Sequence, residues 1–264
     1  MSARGPLQGL CRICAIFGNL TEDHVPPKGA PRIGQRLLYD LGYAPNPSTV
    51  AKQRGRMFQR GVKFRTLCAD CNNRLLGAQC DPELIALARR VDTHIQSRIA
   101  TKELPVQVTP ALLGRAVVGH LLAASNETQA VNAPNVVAMR NYFLDRTLSF
   151  PDGARIHLWP YPDHMEFVSA GHAAITTHGN VLVYTLKFYP LAFMVAWDSN
   201  PDWALPGVDI TALLQENSGQ PRNLDLPLDR VPTHFPELPS GNNGILVTMV
   251  GDETIRYSVP YRKS

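Results

Sequence analysis

Two Cys-x-x-Cys pairs constrain this chain more than any other feature. They are Cys11-Arg-Ile-Cys14 and Cys68-Ala-Asp-Cys71. Each short turn can bring two thiolates onto one tetrahedral metal at about 2.3 Å, and two such turns complete a four-thiolate shell. The competing readings are a pair of disulfides or a redox Cys-x-x-Cys. The N-terminal residues Met1-Ser-Ala-Arg-Gly-Pro carry no hydrophobic signal core, so a cytoplasmic location is expected and disulfides are disfavoured. A redox motif would follow a strand in a βαβ unit, a pattern this region lacks. The expectation is structural Zn²⁺ on Cys11, Cys14, Cys68 and Cys71. Cys80 is left over and reads as a small buried hydrophobe. The region is rich in Pro, Gly and Arg, so metal binding would be most of its folding free energy, on the order of 10 kcal/mol.

The chain has 264 residues, 44% hydrophobic and 18% charged. That suits one large or two modest domains with an ordinary core, and disorder is not expected. The longest apolar run, Leu182–Trp197, is interrupted by Lys187 and Pro190, so no membrane span is expected. Charge is unevenly placed. Residues 1–100 hold 15 Lys/Arg against 7 Asp/Glu, and residues 101–264 hold 11 against 15. A basic first third favours a polyanionic partner, nucleic acid foremost, over a merely solvated basic surface.

Three motifs follow one another in this basic part. Cys11–Cys14 is followed by Asp23-His-Val-Pro-Pro-Lys28, and then by Thr66-Leu-Cys-Ala-Asp-Cys-Asn-Asn73. In that order they resemble the HNH nucleases with a zinc-stapled ββα-metal (treble-clef) core, over roughly residues 9–80. The resemblance implies phosphodiester hydrolysis with a second, catalytic cation, Mg²⁺ or Mn²⁺. His24 would be the general base, suited by a pKa near neutrality. Asp23 would be a cation ligand, and Asn73 the ligand carried by the helix, with Asn72 its close competitor. Such oxygen donors suit a hard cation. A further asparagine of the family pattern would stand shortly before Cys68. Lys63-Phe-Arg-Thr-Leu67 occupies that place, which puts full activity in question. The plainer readings are a structural His24 and helix-capping asparagines.

Residues 28–65 form a basic insertion with interleaved aromatics. From it Lys28, Arg54, Arg56, Arg60 and Lys63 are expected to contact a nucleic-acid backbone, which positions the duplex without reading its sequence. Double-stranded DNA is the substrate the resemblance favours.

Beyond residue 80 the pattern is different. Leu84, Leu87, Ala88, Val91, Ile95 and Ile99 recur at helical spacing within 82–100, and further helices fit 110–125 and 135–149. His94 is expected on a polar face and His120 in the core or at its boundary. Strands are expected at 165–177, 181–189 and 191–197, with a hairpin turn at 177–180. Residues 199–243 read as a long surface loop, and 245–250 with 254–259 as a final hairpin. His157, His164, His172 and His178 are irregularly spaced and read as strand residues rather than ligands. The expected fold class is α+β: a zinc-stapled module over 1–80, then an α+β domain over 81–264 with helices (82–150) packed on antiparallel strands (154–260). The second part offers a route to homo-oligomers.

Three functions compete at this stage. One is an HNH endonuclease. Another is a non-catalytic zinc protein that binds nucleic acid through a degenerate HNH site. In the third, the zinc module is only a scaffold and the second part binds a protein or small ligand.

Overall fold

The computed structural model describes residues 5–31, 34–40, 55–97, 99–125, 132–176, 179–197, 205–228, 246–248 and 255–261. The fold is mixed α+β with antiparallel sheets. Strands β1 (Gln8–Leu10), β2 (Phe17–His24) and β5 (Lys63–Cys68) form a small sheet in the order β1-β2-β5. Cys68 ends β5, and a helical stretch begins at once. Its first part, α1 (Asp70–Cys80), is wound with the wider π pitch and runs directly into α2 (Asp81–Ser97).

The insertion is not a solvated loop where it is described. Its strands β3 (Arg36–Asp40) and β4 (Arg56–Phe58) pair with each other, and β3 pairs with β14 (Ile255–Pro260), with Leu38 opposite Ser258. They thereby form one side of a nine-stranded sheet. Its other members are β7 (Ala154–Pro160), β8 (Glu166–Thr176), β9 (Gly179–Phe188), β10 (Leu191–Trp197), β11 (Val208–Asp209) and β13 (Leu246–Thr248). Arg36, one of the insertion's basic residues, is buried. Its Nε donates to Ser258 Oγ at 2.6 Å and lies 2.7 Å from Glu166. A cation taken from water needs such partners.

Two strand expectations are corrected. The final hairpin is not seen among the described residues: β13 and β14 each pair with β8, at residues 173–175 and 166–169 respectively. Between those stretches the β8 register shifts, and Gly171 takes a left-handed φ of 102°. The long loop is also interrupted. It carries β11, α5 (Thr211–Gln215) and β12 (Arg222–Pro227), and β12 pairs along its whole length with β6 (Glu103–Val108). Leu104, Val106, Val108 and Leu226 bury one face of that ribbon, as the period of two requires. Of the expected turn at 177–180, residues 177 and 178 lie outside the described ones; Thr176 faces Gly179 across it.

The three helices occur where the periodicity places them. The third, α4 (Pro134–Leu144), stops earlier than 149. There Asp145 accepts hydrogen bonds from the backbone N–H and hydroxyl of Thr147, a local turn that competes with the helix. Central to the molecule is α3 (Pro110–Ala123), buried over most of its length. A Cβ on its Gly119 would meet Leu76 of α1 at 2.6 Å and Phe143 of α4 at 2.8 Å, so glycine lets three helices approach closely. One apolar core runs from Cys11 through α3 to Leu226. Among the described residues no helix is long and apolar enough to cross a membrane.

Candidate metal centre

The four cysteines meet as their spacing predicts. Their sulfurs all lie within 4.8 Å of one another, and Cys14 Sγ is 3.9 Å from Cys68 Sγ. A tetrahedron with metal–sulfur bonds of about 2.3 Å has edges of about 3.8 Å, so the donor set fits zinc. Backbone hydrogen bonds shape the first turn: Cys11 N–H to Ile16 O at 3.0 Å and Ala15 N–H to Cys11 O at 2.8 Å, with Ala15 left-handed at φ 56°. Arg12 N–H donates to Thr66 O, which ties this turn to β5. The second pair straddles the junction of β5 and α1. A hydrogen bond from Cys71 holds the Cys11 thiol down to about 4; burial pushes Cys14 up to about 11, and the bond to Cys11, then burial, raises Cys71. Four thiols this close cannot all ionise without a cation among them.

β2 leaves this cluster and ends at Asp23 and His24. Strand alternation turns these neighbours to opposite faces. His24 lies opposite Lys63 on the outer face, and Asp23 lies opposite buried Phe64. The His24 ring is half-buried, and its Nε2 has no hydrogen-bond partner among the described residues. Burial, then Lys63 and Lys28, push its pKa below the usual histidine value, so the ring is neutral at pH 7. Lys63 also reaches Glu22 at 3.5 Å, and Arg65 pairs with Glu22 at 2.9 Å.

Asp23 faces the core. Its Oδ2 is 3.6 Å from His120 Nδ1, and His120 Nε2 is 2.9 Å from Asp81 Oδ1. Burial raises Asp23 to about 7, against the opposing pull of His120. For His120, burial disfavours the charge but Asp81, then Asp23, raise its pKa on balance. The sequence gives no warning of this carboxylate–imidazole–carboxylate line. Its members come from β2, α2 and α3, and neither spacing nor a motif links them.

The asparagines separate as well. Asn72 is buried, and its Nδ2 donates to Thr21 Oγ1 at 2.9 Å and Glu22 O at 3.1 Å, so it fastens α1 to β2. Asn73 is exposed on the following position. Of the expected backbone contacts, Lys28 and Arg60 are exposed. Arg56 lies over the Phe58 ring, 5.5 Å from its centroid, and Arg54 lies outside the described residues. Among the described residues the four cysteines are the one group of His, Cys, Asp or Glu side chains placed to hold a metal. The oxygen donors expected for Mg²⁺ or Mn²⁺ are therefore not gathered into a shell of their own. Comparison with family models, curated proteins and solved structures finds no match for this chain.

Proposed function

We propose that this chain is a zinc-stapled, treble-clef protein of the HNH type that hydrolyses phosphodiester bonds in DNA, with His24 as general base. One observation carries the reading. The four-cysteine cluster pins the hairpin that ends at His24, whose half-buried imidazole has its pKa lowered by burial, then by Lys63 and Lys28, and whose buried Nε2 has no hydrogen-bond partner among the described residues. A neutral imidazole accepts a proton from an attacking water, and flanking ammonium groups suit a phosphate. A divalent cation, if bound, would neutralise charge developing on the phosphate. Asn73 is the donor open to it, since Asp23 is engaged with His120. That engagement favours a second reading, a non-catalytic zinc protein that binds nucleic acid. A plasmid-nicking assay with Mg²⁺ or Mn²⁺ separates the two. Under the first reading wild type nicks and His24→Ala does not, while both bind DNA equally. If wild type binds but never nicks, the second reading holds.

A further inference from the structure

The β1–β2 hairpin presents a bare outer face. On it Leu10 stands opposite Phe17 and Gln8 opposite Asn19, all four exposed. Beside them Ile16 keeps 68% of its surface and Leu7 71%. Half of the large exposed apolar side chains among the described residues (Leu7, Leu10, Ile16 and Phe17) thus sit on one finger. A cluster of that kind marks an interaction surface, where singly scattered residues would not. The cysteine turn between the two strands stiffens the tip, so little ordering is needed on binding.

Hydrogen-bonding chemistry selects the partner. Residues 5–20 contain no carboxylate side chain. Arg65 donates to Gly5 O at the root of the finger, and Arg140 donates to Ile13 O at its tip. Gln8 Nε2 donates to Asn19 Oδ1 at 3.0 Å. That leaves Gln8 Oε1 as an acceptor and Asn19 Nδ2 as a donor on one face. Adenine shows the complementary pair in the major groove, the N6 amino donor and the N7 acceptor, and its partner thymine adds a methyl for an apolar side chain to meet. That groove, about 12 Å wide, admits a two-stranded ribbon.

We propose that the β1–β2 finger enters the major groove of duplex DNA, with the Gln8–Asn19 amide pair reading adenine and Leu10 and Phe17 covering thymine methyls. This rests on the nucleic-acid reading above. It is tested by fluorescence anisotropy of the intact zinc-loaded chain, without divalent cation, on two duplexes of equal length. One is alternating A·T and the other alternating G·C. Wild type should prefer the A·T duplex by roughly tenfold. Gln8→Ala/Asn19→Ala should lose that preference, keep the G·C affinity and retain its zinc. Phe17→Ser should weaken A·T binding severalfold. Equal preference in wild type and the double variant overturns the finger while leaving the nucleic-acid reading intact. Absence of salt-dependent binding of wild type to either duplex overturns both. If Phe17→Ser turns a sedimenting dimer into a monomer with DNA binding unchanged, the face belongs to a second copy of this chain, and the proposal falls.

Discussion

Asp23 Oδ2 lies 3.6 Å from His120 Nδ1, deep between β2 and α3. The residue next to the proposed base therefore braces the cysteine hairpin against the helical core. Replacing His120 by Asn should strand Asp23 and Asp81 without a cationic partner. Loss of about 3–5 kcal/mol is expected, read by chemical denaturation. Asp23→Asn/His120→Asn should recover part of the loss, because the unpaired charge is gone as well.

The burial of Asp23 gives stability a pH dependence with a defined sign. Asp23 has a folded pKa of about 7 against 3.8 for the free group. The native state thus holds this proton more tightly than the unfolded chain does. Its contribution is full below pH 4 and is lost as pH rises through 7. His120, also raised, acts in the same direction. Denaturation midpoints should fall between pH 5 and 8, and Asp23→Asn should flatten that slope.

His24 sets a different profile. Its lowered pKa places the acid limb of kcat/KM below pH 6.5, with a plateau above. Lys28→Ala removes one of the charges that lower it and should move the limb toward higher pH. A limb unmoved by Lys28→Ala and by Lys63→Ala would show that these cations do not act on the base.

Zinc removal should be severe. One zinc per chain is expected by elemental analysis, and Cys11→Ser or Cys68→Ser should abolish it. Since metal binding is coupled to folding by on the order of 10 kcal/mol, a strong chelator should melt the hairpin and α1 together. A thermal transition unchanged in Cys68→Ser would contradict the four-sulfur site.

Gly119→Ala tests the helix crossing. The added Cβ meets Leu76 and Phe143 at under 3 Å, and overpacking of this kind costs about 1–3 kcal/mol. Gly18→Ala, in open space, should change stability far less.

The metal cluster was legible because its information is local: two short turns and a fixed spacing. The helices were legible for the same reason, and α2 follows its apolar stripe from Leu84 to Val91. What lay hidden depends on partners far away in the chain. Arg222–Pro227 reads as loop by composition and becomes a strand because β6 offers an edge with a buried alternate face. Arg36 belongs by composition to a basic insertion suited to phosphate contacts, yet Ser258 and Glu166 receive it inside the protein. Asp23 and His24 are neighbours in sequence, but their pleat was not legible there. That pleat divides the pair between the core and the surface.

The union of Arg36–Asp40 with Ile255–Pro260 joins residues 222 positions apart. Its consequence is temporal. As the chain emerges during synthesis, the four cysteines can meet early, but the insertion they enclose cannot join its sheet until Ile255–Pro260 has been translated. The β3–β4 pair must therefore wait, with the β3 edge uncovered, for β14 to arrive.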